Sequence, residues 1–265
     1  MIALIRWGLW QKRWSTLWWA IGISAYMILV IAVYPSFSSQ TSTLNNSLNQ
    51  LPATVKSLIS DSGNYMSPVG YMSSKAYYIM LPIVFSVLSI GLGNSLLARD
   101  EQDHTLELVL SRPVSRLKVI LGRAISGILI MLAVMLTTAL TTIFIAWLVG
   151  LHIGLINLFL ATAMSARLAL IFGALAFMLS AFGKTARKAS VGIATLLLIA
   201  GYLFTSLSGT VRWLQWPAKL LPYNYYHPSE ILNGNANWNN AFGMILVVII
   251  LGVIAYLGFR KRDIS

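Results

Sequence analysis

Apolar positions in this chain gather into runs of helical length with almost no charge, and the segments between them hold most of the polar residues. The runs cover about 17–34, 77–97, 124–150, 164–183, 189–207 and 241–259. Each is close to the roughly 20 residues that a helix needs to cross a hydrocarbon core about 30 Å thick. They are too long for the roughly ten-residue alternating strands of an outer-membrane barrel. The pattern predicts an all-α integral membrane fold, one transmembrane domain over 1–265 with six spans. Pro82, Gly91 and Gly93 in the second run are tolerated in a lipid-embedded helix whose neighbours repair the backbone. The third run is long enough to tilt, and Gly150, His152, Gly154 and Asn157 separate it from the fourth. Ahead of the first run, Ile2, Ile5 and Leu9 share one side of a helix, and Trp7, Trp10 and Trp14 suit the headgroup layer. A short interfacial helix is therefore expected over 2–13.

Composition supports the same picture. With 57% hydrophobic and 10% charged residues and a mean hydropathy of +0.75, the chain has too little polar surface for a water-soluble globule. The formal net charge of +12 would raise nucleic acid as a partner of a soluble protein. Here the basic residues flank apolar runs, so membrane placement accounts for them and no nucleic-acid partner is expected. The absence of cysteine excludes a disulfide framework, a thiolate nucleophile and a Cys-based metal site. Arg6, Lys12 and Arg13 precede an apolar run as in a signal peptide. The run is long and Pro35-Ser36-Phe37 is a poor cleavage site, so a retained first span is expected.

Two longer polar segments, 36–76 and 208–240, fall on one side of such a membrane. The other side receives the N-terminus, 98–123, 183–188 and the tail, which together hold 14 of the 19 Lys and Arg residues. By the positive-inside rule that side is cytoplasmic, with both termini in. It also holds the chain's densest chemistry: four of the seven acidic residues, Asp100, Glu101, Asp103 and Glu107, lie within eight positions. A short amphipathic helix is expected from Asp100 to Leu110, with the acids of its first turn at the positive end of its dipole and Leu106, Val109 and Leu110 at helical spacing. Arg112-Pro113 ends it. Ser115 stands where it caps the next helix, which carries Arg116, Lys118 and Arg123 to the membrane edge. Either this is a solvated loop whose acids neutralise the surrounding arginines, or it is a docking surface for a basic partner.

The stretch Thr105-Leu106-Glu107-Leu108-Val109-Leu110-Ser111-Arg112-Pro113-Val114-Ser115-Arg116 resembles the cytoplasmic segment between the second and third of six spans in type-2 ABC-transporter permeases. His104 stands where that family usually has glycine. Leu221-Pro222-Tyr223-Asn224-Tyr225-Tyr226-His227-Pro228 is similar, more loosely, to the family's Pro-aromatic segment before the last span. The resemblance implies the permease subunit of an ATP-driven exporter in a cell membrane, a bacterial plasma membrane, working as a homo- or heterodimer with two cytoplasmic ABC ATPase subunits. It implies a coupling helix between spans two and three, in which Asp100, Glu101, Asp103, Thr105, Glu107 and Arg112 contact or orient toward the ATPase. Tyr223, Tyr225 and Tyr226 are then either an interfacial belt or an outer gate. ATP and Mg belong to the partner ATPase, and no cofactor is expected on this chain.

The remaining signals are weaker. Gly183-Lys184-Thr185 imitates the end of a phosphate-binding loop, but Met178 stands where the motif needs its first glycine, so a basic turn is expected there. Arg167 falls about four residues inside the outer end of a fourth span drawn from Met164; it either snorkels to the interface or lines a substrate path. The three histidines occupy three separate loops, which disfavours a zinc site. The absence of membrane-embedded carboxylates argues against a proton-coupled transporter, and no serine is accompanied by a plausible base. A non-transporting membrane scaffold that recruits a cytosolic protein through its acidic loop is the alternative to the exporter.

Overall fold

Six long helices carry the six apolar runs. In the computed structural model the described residues are 2–38, 50–61, 65, 67–102 and 115–260, and all regular structure among them is helical. The long helices are α1 (Ile2–Ser38), α4 (Met80–Gln102), α5 (Arg116–Val149), α6 (Leu155–Ala181), α7 (Lys184–Leu207) and α10 (Trp238–Arg260). Each is long and apolar enough to cross a membrane. Short helices fill the connections: α2 (Ala53–Ile59) and α3 (Pro68–Met72) before α4, then α8 (Gln215–Lys219) and α9 (Pro228–Leu232) before α10.

The helices run alternately up and down, which groups the connections at two ends. Arg116 at the start of α5 donates to the Arg260 carbonyl at the end of α10 (2.9 Å). At the opposite end Asn157, in the first turn of α6, donates to the Leu232 carbonyl of α9 (3.1 Å). The first is termed the basic end and the second the loop end. Helix α6 is the hub, with 61% of an 18-residue apolar stretch buried against 22% of the corresponding stretches of α1 and α10. It packs most extensively against α4. There a Cβ added to Gly93 would sit 2.2 Å from the Gly173 carbonyl oxygen, and one on Gly173 would sit 2.8 Å from the Ser89 carbonyl oxygen. Small residues permit this approach of backbones, the usual basis of helix association in lipid. Helix α1 lies along α5, where Gly8 faces Ser126 and Gly122 faces Leu4.

Several boundaries differ from the sequence expectation. No separate interfacial helix exists over 2–13: α1 is continuous from Ile2 to Ser38. No proline interrupts that stretch before Pro35, so nothing breaks the helix at the membrane edge. At about 1.5 Å per residue α1 exceeds the hydrocarbon thickness. Trp7 stacks on Trp10 (5.8 Å), and the Arg13 guanidinium lies 4.3 Å from the Trp10 ring centre. Helix α6 begins at Leu155, nine residues ahead of the expected start, because Gly150 closes α5 in a left-handed conformation (φ 70°) and the chain turns at once. Helix α4 is preceded by α3 and a π turn over Ser73–Tyr77; the helical path that carries the second apolar run thus starts at Pro68.

Candidate functional site

The loop end is fastened by tyrosines. The π turn, closed by the Tyr78 N–H on the Ser73 carbonyl (2.8 Å), shifts the helical register so that the consecutive Tyr77 and Tyr78 both point inward and are buried. Such turns interrupt α-helices most often where a side chain must be re-aimed. The Tyr77 hydroxyl lies 3.0 Å from Thr162 Oγ1 on α6. Tyr78 donates to the Ser57 carbonyl (3.0 Å) and lies 2.7 Å from Ser206 Oγ on α7. Tyr202 on α7 donates to the Leu58 carbonyl (2.5 Å). Ser57 and Leu58 are in the last turn of α2, where carbonyls lack partners inside their own helix. Tyr78, just ahead of α4, and Tyr202 on α7 thus supply donors to the free carbonyls of a loop helix.

The expected gate residues join this cluster unequally. Tyr223 and Tyr226 are buried, whereas Tyr225 is 43% exposed. The Tyr226 hydroxyl lies 2.6 Å from Ser165 Oγ on α6 and donates to the Tyr77 carbonyl (2.8 Å); the Tyr223 hydroxyl donates to the Tyr78 carbonyl. The Tyr223 ring meets Tyr202, Tyr226 and Tyr78 edge to face, at 5.7, 6.0 and 6.4 Å. Burial, reinforced by neighbouring tyrosines and Asp61, pushes both the Tyr223 and the Tyr226 hydroxyl well above the usual tyrosine range. Tyr225 instead donates to the Lys219 carbonyl within its own loop (2.9 Å). Asp61 bridges the two loops: its carboxylate accepts from Ser73 Oγ (2.6 Å), the Ser229 backbone N–H (3.0 Å) and Ser229 Oγ (2.8 Å). The hydroxyls of this cluster are engaged with carbonyl and hydroxyl partners, an arrangement that fastens.

The basic end is held differently. The Asn94 side-chain oxygen of α4 accepts from Ser180 of α6 (3.1 Å) and Ser190 of α7 (3.1 Å). Arg116 caps the last carbonyls of α10, at the end of a helix where a cation meets the negative pole of the dipole. Ser115 precedes α5 at its N-cap position with no side-chain cap bond; its carbonyl accepts from Lys118 and Val119. Arg123, expected at the membrane edge, is instead 2% exposed and tucked beside Gly8 of α1.

The acidic segment itself is described only at its start. Asp100 and Glu101 stand in the last turn of α4, which runs unbroken to Gln102. This corrects the expectation that they open a separate helix: they occupy the pole where the dipole is negative and anions are disfavoured. Asp103, Thr105, Glu107 and Arg112 lie outside the described residues. Arg167 lies twelve residues into α6, about 18 Å along it, and not four residues from an end as expected. Its guanidinium leans toward the loop end, 2.9 Å from the Met164 sulfur, the direction that side chains follow on a helix entered from that side.

The structure thus brings Tyr223 and Tyr226 together with Tyr77, Tyr78, Tyr202 and Asp61, four residues that sequence reasoning did not single out. Adjacent tyrosines at the head of an otherwise apolar run, together with a lone Asp in a Ser-rich loop, were the available signals. Among the described residues no group of His, Cys, Asp and Glu is arranged to hold a metal. The profile of the family described as ABC-2 family transporter protein matches residues 12–264. No curated protein and no solved structure matches the chain.

Proposed function

Because this chain belongs to the ABC-2 transporter family, whose members are multi-pass permease subunits of ABC transporters associated with ABC ATPases, we propose that it couples ATP hydrolysis on a separate subunit to export. In this reading Asp100, Glu101, Asp103, Thr105, Glu107 and Arg112 contact or orient toward the ATPase surface at the cytoplasmic face. ATP and Mg are held by that ATPase. A second permease subunit, identical or not, covers part of the apolar surface that α1, α7 and α10 leave exposed. The membrane is a cell membrane, that of a bacterium, with both termini on the cytoplasmic side.

One observation carries the reading: the acidic segment stands in the chain between the ends of two spans, α4 helical to Gln102 and α5 helical from Arg116. A displacement that reaches the ends of these two spans is carried into the bundle along both helices. Through the close crossing at Gly93 and Gly173 it also reaches the hub, α6. At the loop end the buried tyrosines hold the loops to the bundle, and Tyr225 is the member of the trio exposed for a gating contact. Arg167, leaning from α6 toward that end, is a candidate lining residue.

The test is co-expression with candidate ABC ATPases, copurification, and transport in vesicles. A stable complex that hydrolyses ATP, with Glu107→Ala retaining assembly and hydrolysis but losing transport, supports the proposal. A chain that copurifies with no ATPase, or Glu107→Ala and Asp103→Ala variants that transport normally, overturns it. The chain has no cysteine, so single cysteines at Lys56 and Lys188 read orientation directly: only the second should be labelled from the cytoplasm.

A further inference from the structure

Between α4, α5, α6 and α10, in the half of the bundle nearer the basic end, lies an apolar crevice of about 370 Å³. Its volume is within the roughly 300–1,000 Å³ typical of ligand pockets. Glycines make the space: Gly127 and Gly252 line it, and a Cβ on Gly252 would meet nothing within 4 Å. It opens at the side of the bundle, since Leu121 and Val253 line it and are 40% and 53% exposed. Along α5 its lining extends from Leu117 to Ile128. That is about 17 Å of helix at 1.5 Å per residue, close to half of a 30 Å hydrocarbon core. A narrow apolar slot one leaflet long, open to the side, has the dimensions of a lipid acyl chain.

The mouth of the crevice carries positive charge. Its lining begins at Leu117 on α5 and reaches Tyr256 on α10. Arg116, adjacent to the first, spans to the Arg260 carbonyl, one helical turn beyond the second. The guanidinium therefore sits where the two walls meet at the basic end. Lys118 and Arg260 flank it with exposed side chains. Cationic pockets between spans on the cytoplasmic side attract anionic headgroups.

We propose that this crevice binds an anionic phospholipid of the cytoplasmic leaflet, one acyl chain between α5 and α10 and the phosphate on the rim of Arg116, Lys118 and Arg260. The leaflet assignment rests on the orientation given under Proposed function; the crevice and its charge do not. Bound there, the lipid joins the start of α5 to the end of α10 beside the acidic segment.

The experiment uses the full chain in nanodiscs containing phosphatidylglycerol or phosphatidylcholine with a photoreactive group on one acyl chain, and maps crosslinks by peptide mass spectrometry. Crosslinks should concentrate on 120–128 and 248–256 and be several-fold more abundant with phosphatidylglycerol. Gly252→Phe, which fills open space, should reduce them at least several-fold, and Lys118→Gln should narrow the preference between the two lipids. Crosslinks spread evenly over the exposed helices of the wild-type protein, an equal yield from both lipids, or no loss in Gly252→Phe would overturn the proposal. So would an absence of lipid crosslinks on 120–128 and 248–256, the result expected where a second copy of this chain covers the crevice. Both leaflets of the nanodisc have the same composition, so a wrong orientation appears in the cysteine labelling and leaves this result unaffected.

Discussion

The two ends of the bundle are held by different chemistry. At the loop end, aromatic rings and a carboxylate tie loops to spans: Tyr77, Tyr78, Tyr202, Tyr223 and Tyr226 place their hydroxyls on backbone or hydroxyl partners, and Asp61 joins the two loops. At the basic end one amide oxygen shared by two serines and one guanidinium on a helix terminus join five spans. Buried hydrogen bonds are costly to lose, about 1–3 kcal/mol for each group left unsatisfied. A cation on exposed carbonyls is worth about 0.3–1 kcal/mol. Among the described residues the loop end is accordingly the more firmly fastened, and under the proposed function the basic end, where the acidic segment attaches, is the one that yields to a push. If the chain is driven from that side, as proposed, the asymmetry supplies a soft end that receives the displacement and a stiff end that changes state as a unit.

The strongest way to break the comparison is to disturb the point that both ends share. In Gly93→Ala the new Cβ would lie 2.2 Å from the Gly173 carbonyl oxygen, a backbone atom that cannot swing away. Overpacking of this kind costs typically 1–3 kcal/mol and sometimes more, and we expect about 3 kcal/mol, read as a large fall in Tm in detergent. Gly252→Ala, with open space around it, should change Tm little. Equal Tm for both variants would show that the α4–α6 crossing does not organise the bundle.

Tyr226→Phe tests the stiff end. It removes a hydroxyl placed between Ser165 and the Tyr77 carbonyl and should cost about 2 kcal/mol. The same residue gives the loop end a pH signature. Its folded pKa is raised, first by burial, above an unfolded value near 10. Its contribution is therefore complete below about pH 10 and lost as pH rises through the higher folded value. Tm should be level between pH 7 and 9, fall at more alkaline pH, and fall less steeply in Tyr226→Phe. An identical alkaline slope in the variant would remove Tyr226 from the account.

Asp61→Ala comes next, at about 1–2 kcal/mol, because Ser73 and Ser229 regain solvent or local partners more easily than a buried tyrosine does. Limited proteolysis checks it best. Cleavage in 50–61 or 208–237 should accelerate while the six spans stay protected; no acceleration would mean that the two loops hold without their bridge.

How much of this was legible from the chain follows from the range of the forces involved. Hydropathy is a local sum over some twenty residues, so six spans could be read directly, and the αL glycine at Gly150 marked the end of α5 where turn residues clustered. Missed boundaries have a common cause. Trp14 to Leu17 looked like an interface, but a helix ends only where something breaks it, and nothing there does. The start of α6 was read too late because Asn157 looked like a turn residue, whereas it stands in the first turn with its side chain on the α9 terminus. Tyr223 and Tyr226 were chosen for their motif. Their partners were not, because Tyr77, Tyr78 and Tyr202 are brought in by a π turn and by packing between segments more than a hundred residues apart. Asp100 and Glu101 were assigned to a new helix on the dipole preference of acids and the apolar spacing that follows them; continuity of α4 overrode that preference, as packing commonly does with a single turn.

The mildest expected effect sharpens the comparison most. Asn94→Ala removes the acceptor shared by Ser180 and Ser190, but Ser180 keeps its bond to the Ala176 carbonyl (2.8 Å). The stability loss should therefore stay below about 1 kcal/mol, half or less of the Tyr226→Phe value. If the basic end is where the displacement enters, the ranking must reverse for function. Asn94→Ala uncouples α4 from α7 and should lower transport per ATP hydrolysed more than Tyr226→Phe does, although it unfolds later. A variant series in which loss of transport simply follows loss of Tm would mean that the two ends differ in bonding but not in role. A series in which the two orders cross, with Asn94→Ala well folded and poorly coupled, would place the compliant joint at Asn94, where three spans meet at the end that carries the acidic segment.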